Sequence, residues 1–129
     1  MLLLYTVDVK TTEDASLHAW QKDCAKWAYH LQAAFYSDVR ALITGVPTQG
    51  FYFIVVEKSA PYEVQVYHIG EASLERGRKE YKRLLAEYKT CKETGIWPGY
   101  FTGTRLFELP SWALQDKPEN DELTYQLAE

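Results

Sequence analysis

The sequence predicts an α/β domain in which a central mixed sheet is flanked by helices. Three observations predict it. Stretches at about 2–10, 51–57 and 62–69 are strand-like, the second a nearly continuous apolar run and the third alternating. Two longer segments, at about 15–43 and 73–94, repeat apolar residues at spacings of three and four, as helices with one buried side do. Between them lie breakers: Gly45-Val46-Pro47, Gly50, Pro61, Gly70 and Gly95. The length of 129 residues suits one domain, and 47% hydrophobic residues supply a core.

Leu2-Leu3-Leu4-Tyr5 begins the first strand, which continues to Lys10. Thr11 to Ser16 is a polar turn in which Thr12 or Asp14 can cap a helix. The helix that follows is expected from about Ala15 to about Ile43, with a break near Ser37-Asp38. Leu17, Trp20, Cys24, Trp27, Leu31 and Ala34 make its buried stripe. A second stripe beside it holds Ala25, Tyr29, Gln32 and Tyr36. Phe51 to Val56 suits a central strand covered on both faces. Tyr62 to Ile69 pairs with it antiparallel through a short turn.

The second helix is expected to bury Leu74, Gly77, Tyr81, Leu84, Leu85, Tyr88 and Cys91 and to stop at Gly95. Its many arginines and lysines alternate with Glu75, Glu80, Glu87 and Glu93. That reads first as a solvated face of i,i+4 pairs and second as a grip on DNA phosphates. Trp97-Pro98-Gly99-Tyr100 is a compact aromatic turn, Thr104 to Leu109 a short strand and Ser111 to Leu114 a helical turn.

Composition excludes some functions. No apolar run approaches a membrane span, and the start lacks the basic opening of a signal peptide. Cys24 and Cys91 have no metal-type spacing. They read as reduced core residues, which points to the cytoplasm. A net charge of −4 argues against a protein that lives by nonspecific grip on nucleic acid.

Chemistry concentrates in Val7-Asp8-Val9-Lys10-Thr11-Thr12. Strand alternation puts Asp8 and Lys10 on one face. A carboxylate can hold a hard cation, and a lysine two residues on can meet an attacking water or a phosphate. By itself the tripeptide is also what a surface ion pair looks like.

Several motifs stand together in this chain: V-D-V-K-T-T at 7–12, Y-H-L-Q-A-A-F-Y at 29–36, S-L-E-R-G-R-K-E-Y at 73–81, W-P-G-Y at 97–100 and L-P-S-W-A at 109–113. Together they resemble the C-terminal nuclease domain of RecE-type exonuclease VIII, a phage and prophage recombination enzyme. That group belongs to the PD-(D/E)XK superfamily, with a RecB-like core. The resemblance covers the chain to about Leu114. It implies a PD-(D/E)XK core with Asp8 and the Val9 carbonyl as ligands of Mg²⁺ or Mn²⁺. It implies Lys10 at the nucleophile or the transition-state phosphate, and Gln32 and Tyr36 as a Q-x-x-x-Y pair that positions the lysine or the DNA strand end. The implied activity is Mg²⁺-dependent 5′–3′ degradation of duplex DNA ends, leaving a 3′ overhang for an annealing protein.

The sequence departs from that pattern at its start. Seven residues precede Asp8, none of them acidic or histidine, and fully extended they span roughly 23 Å. The expectation is therefore a nuclease-like domain at 1–114, lacking the first helix, first strand and first metal carboxylate of the full fold, and an acidic mobile tail at 115–129. Among the spare acids Glu57 is the best substitute, ahead of Glu13, Asp14 and Asp38. Two functions stay open. One is a RecE-like exonuclease that is weak or inactive as this chain, or completed in a homo-oligomer that shields an uncovered edge near Leu2–Tyr5. The other is a non-catalytic derivative that binds and inhibits a host recombination or phage-defence protein.

Overall fold

Phe51, Phe53 and Val55 alternate along the central strand and are completely buried, whereas Tyr52, Ile54 and Val56 between them are only partly covered. One side of the sheet is therefore a core and the other is not. In the computed structural model, residues 4–116 are described; Met1–Leu3 of the expected first strand and the expected tail from Lys117 on lie outside them. The chain divides into two compact units between Ile96 and Trp97.

The first unit runs β1 (Tyr5–Thr12), α1 (Leu17–Lys26), α2 (Tyr29–Thr44), β2 (Gly50–Glu57), β3 (Val64–His68) and α3 (Glu71–Thr94). The sheet order is β1-β2-β3. β1 pairs with β2 in parallel, from Tyr5 opposite Gly50 to Thr12 opposite Glu57. β3 pairs antiparallel, with Val66 opposite Ile54. The sheet is thus mixed, as the sequence predicts. Among the described residues β1 and β3 are both edge strands.

On the covered side Trp20 stacks between Tyr29 and Tyr67, at centroid distances of 5.4 and 6.3 Å, and meets Phe53 edge-on at 5.3 Å. Ala33, Ala34 and Leu74 complete this core. α3 leans on α2 so closely that a Cβ on Gly77 would stand 2.3 Å from the His30 carbonyl oxygen. Only glycine fits there, because the obstacle is backbone. Gly45 and Gly95 end α2 and α3 in the left-handed conformation, φ 69° and 71°, each N–H donating back to the helix at 2.9 Å.

β1 is inverted relative to an ordinary edge strand. Thr6, Asp8, Lys10 and Thr12 point toward the helices, while Tyr5, Val7 and Val9 point to the open side and are exposed. Among the described residues no helix is long and apolar enough to cross a membrane.

The expected single helix over 15–43 is two helices, and they part at Trp27-Ala28 rather than at Ser37-Asp38. Ala28 adopts φ 55°, a left-handed turn that breaks the helical phase. Trp27 swings out to 58% exposure instead of continuing the buried stripe, and Leu17 is exposed as well. Ser37 is buried within an unbroken α2. On α3, Leu74, Gly77 and Cys91 are buried, but Leu84, Leu85 and Tyr88 are exposed.

In the second unit, Ser111–Leu114 (α4) forms the expected turn. No strand forms at 104–109: no other strand pairs with this segment among the described residues, and an isolated strand leaves its ladder groups unpaired. The Arg105 guanidinium lies 4.7 Å from the Phe101 ring centre.

Candidate metal and phosphate site

The polar side of β1 faces α2, and two contacts fix how the two elements lie. At one end the Lys10 ammonium sits 4.6 Å from the centre of the Tyr29 ring. At the other, Arg40 Nη1 donates to the Tyr5 carbonyl at 2.8 Å and to Thr6 Oγ1 at 2.7 Å. α2 therefore runs antiparallel along β1. Gln32 and Tyr36 follow Tyr29 by three and seven residues, so they share the side of α2 that carries both anchors. The fold thus brings Asp8, Lys10, Gln32 and Tyr36 to one edge. Neither Gln32 nor Tyr36 makes a side-chain hydrogen bond among the described residues; Tyr36 packs its ring against Phe35, with centroids 6.4 Å apart.

Asp8 and Lys10 form a close ion pair, Lys10 Nζ to Asp8 Oδ2 at 3.0 Å, with side chains only 23% and 17% exposed. The contact lacks hydrogen-bond geometry, and Asp8 Oδ2 is a buried oxygen without a hydrogen bond. A buried carboxylate oxygen in that condition is costly and is rarely tolerated for structure alone. It has acceptor capacity to spare.

The backbone adds a second oxygen. In a parallel ladder alternate residues turn both peptide groups to the partner strand. The Leu4 and Thr12 carbonyls accept from Gln49 N–H at 2.7 Å and Lys58 N–H at 3.0 Å, on the β2 side. Even-numbered residues of β1 therefore face β2, and odd-numbered ones face outward, where the Tyr5 carbonyl meets Arg40. The Val9 carbonyl by the same alternation lies at the outer edge, directly after Asp8.

The other acids are committed elsewhere. Glu57 Oε1 accepts from the Ala15 N–H at 2.9 Å, and Glu57 stands opposite Thr12, four residues along β1 from Asp8. Glu13 pairs with Lys58 at 2.8 Å. Asp14 accepts from the Ser16 N–H, which holds its carboxyl below the ordinary value. Asp38 binds Arg78 through both oxygens at 3.2 Å and accepts from the Tyr81 hydroxyl at 2.6 Å. Among the described residues no group of three or more His, Cys, Asp or Glu stands where it could hold a metal. A hard cation would find one carboxylate and one carbonyl here, a partial fit.

Cys24 is not a nucleophile candidate, since burial pushes its thiol up and keeps it protonated. On α3, Arg83 pairs with Glu80 and Glu87, and Lys89 with Glu93, so much of the basic face is balanced in place. Two residues escaped sequence reasoning, Tyr29 as the platform under Lys10 and Arg40 as the clamp on β1. The signal for Arg40 was available: Gln32, Tyr36 and Arg40 recur at four-residue steps.

A mixed sheet whose edge strand presents Asp-x-Lys beneath helices is the arrangement of the PD-(D/E)XK nuclease-like class. The chain belongs to the family described as PDDEXK-like domain of unknown function (DUF3799), whose family model matches residues 1–107. Among solved structures it resembles a "Putative exonuclease" from Eubacterium rectale, with a TM-score of 0.57 at 14% identity. That match covers 82% of this chain and 43% of the other, so this chain spans less than half the length of that neighbour. No curated protein matches.

Proposed function

We propose that this chain carries the Asp-x-Lys part of a RecE-like, Mg²⁺-dependent exonuclease site for duplex DNA ends, and that alone it cleaves weakly or not at all. The observation that carries the reading is the buried Asp8 oxygen that lies against Lys10 yet accepts no hydrogen bond. Asp8 and the Val9 carbonyl would hold Mg²⁺ or Mn²⁺. When bound, such a cation activates water and stabilises the leaving oxygen. Lys10, held over Tyr29, keeps a fixed positive charge for the phosphate. Gln32, Tyr36 and Arg40 line the same edge and would position the lysine or the strand end. Digestion 5′ to 3′ would leave an overhang for an annealing protein.

The weakness follows from the donor set. Mg²⁺ gives up water reluctantly, and one carboxylate with a carbonyl is little inducement. The committed roles of Glu13, Asp14, Asp38 and Glu57 also favour a second reading, a non-catalytic nuclease-fold protein that binds and inhibits a host recombination or defence protein.

The test is digestion of linear duplex DNA by wild type, Asp8→Ala and Lys10→Ala with Mg²⁺ or Mn²⁺. The expected result is little cleavage with Mg²⁺, a trace with Mn²⁺, and a loss of on the order of 10²-fold or more of that trace in either variant. Robust Mg²⁺-dependent cleavage that Lys10→Ala abolishes would overturn the claim of weakness. Cleavage that both variants leave intact would overturn the site itself; where no cleavage is seen, Mn²⁺ binding by the wild type that Asp8→Ala abolishes supports the site, and no such binding selects the binding reading.

A further inference from the structure

Lys10 is held by two partners, and neither takes a hydrogen bond from it. Its ammonium lies 3.0 Å from Asp8 Oδ2 and 4.6 Å from the centre of the Tyr29 ring. At the first distance an ammonium ordinarily points a proton at a carboxylate oxygen. Here the angles do not allow it, so the contact is charge alone and Oδ2 keeps its lone pairs. Among the described residues no other oxygen accepts from Lys10. The ring, by contrast, is fixed. Tyr29 is the first residue of α2, stacked on Trp20 at 5.4 Å and packed against Phe53 at 6.3 Å, both of them buried. A flexible lysine stem thus carries its charge between a buried oxygen and a rigid aromatic platform.

We propose that Lys10 has two seats, Asp8 and the Tyr29 ring, and that Tyr29 is a positioning residue that regulates how Asp8 takes a divalent cation. This rests on the reading of Asp8 as a cation ligand. Without a cation, Lys10 guards the carboxylate. A divalent cation on the same oxygen has the same sign of charge as the ammonium, and the two repel. Lys10 then gives up Asp8 and keeps the ring, which attracts an ammonium without offering it a counter-charge. It thereby stays beside the site instead of swinging into solvent. Lys10 competes with the cation for Asp8, and Tyr29 sets how hard it competes.

Mn²⁺ binding to the full chain, read by electron paramagnetic resonance without any DNA, tests this. Lys10→Met keeps an unbranched stem and removes the competitor, so it should tighten Mn²⁺ binding at least about tenfold. Tyr29→Leu removes the ring and leaves Lys10 only Asp8, so binding should weaken about tenfold. Tyr29→Phe keeps the ring and should bind as the wild type does. In the Lys10→Met background Tyr29→Leu should change nothing, because no ammonium is left to seat. A merely structural Tyr29 would weaken binding in both backgrounds alike. Circular dichroism checks the fold of each variant, and Lys10→Gln replaces Lys10→Met if that chain does not fold. Equal effects of Tyr29→Leu in the two backgrounds overturn the proposal. So does a Lys10→Met chain that binds no tighter than wild type, or a Tyr29→Phe chain as weak as Tyr29→Leu. Mn²⁺ binding that Asp8→Ala leaves unchanged, or none in any variant, overturns the reading of Asp8 and the proposal with it.

Discussion

Asp38 lies on α2 and faces α3, Asp8 lies on β1 and faces α2, and each has a cationic partner. Around Asp38 every acceptor is used. Arg78 Nε reaches both oxygens, the Tyr81 hydroxyl donates to one of them, and Arg78 Nη1 donates to Glu71 and Glu75 at 2.7 and 3.3 Å. Glu71 first and Asp38 next push the Arg78 proton affinity further above its ordinary value. Around Asp8 the partner is just as near, but no hydrogen bond forms. The first pair joins two helices and is finished. The second holds a strand edge and is left able to bind something more. Proximity of opposite charges does not distinguish a strut from a site; the accounting of hydrogen bonds does.

The largest expected effect lies beside the strut. Gly77→Ala should destabilise the fold by about 3 kcal/mol, the upper end for overpacking, because the new methyl meets the His30 backbone. Urea unfolding checks this, and a cost under about 1 kcal/mol would mean that α3 is free to move off α2.

The same isosteric change in the two acids comes next. Asp38→Asn should cost about 2 kcal/mol, since charge-assisted hydrogen bonds from Arg78 and Tyr81 are weakened together. Asp8→Asn loses no hydrogen bond and only the counter-charge of Lys10, so it should cost less than Asp38→Asn. Equal costs in thermal or urea melts would erase the contrast.

The smallest effect is in the pH dependence. Burial first, then the hydrogen bond to Asp38, raise the Tyr81 phenol from 10.0 to about 12. Below pH 10 the folded and unfolded chains both keep that proton, and the contribution is fully present. Between pH 10 and about 12 the unfolded chain gives it up while the folded chain retains it, so stability falls as pH rises. Tyr81→Phe should flatten that part of the decline relative to wild type; parallel curves would place the phenol outside the strut.

The three strands of the sheet and α3 were legible because their signals are local, whereas the strand expected at 104–109 does not form. Alternation at 62–69, the apolar run at 51–57 and the glycine at 95 each state their own conformation. The break at Ala28 was not legible, because an alanine in a left-handed turn has no compositional mark. Ser37-Asp38 read as a helix break because both are poor helix formers, whereas packing against α3 keeps them helical. At the site, the placement of Asp8 and Lys10 on one face followed from strand period alone. That their face would be the covered one did not, since an edge strand with Val7 and Val9 ordinarily turns those inward.

The parallel pairing of β1 with β2 also sets how much chain its ladder must close. β2 and β3 are joined by residues 58–63, whereas β1 and β2 are joined by residues 13–49. The longer closure costs about 1.6 kcal/mol more in chain entropy. Chain entropy therefore favours the β2–β3 hairpin over the β1–β2 ladder, and makes the Asp8–Lys10 edge the part of the sheet whose closure depends on distant chain.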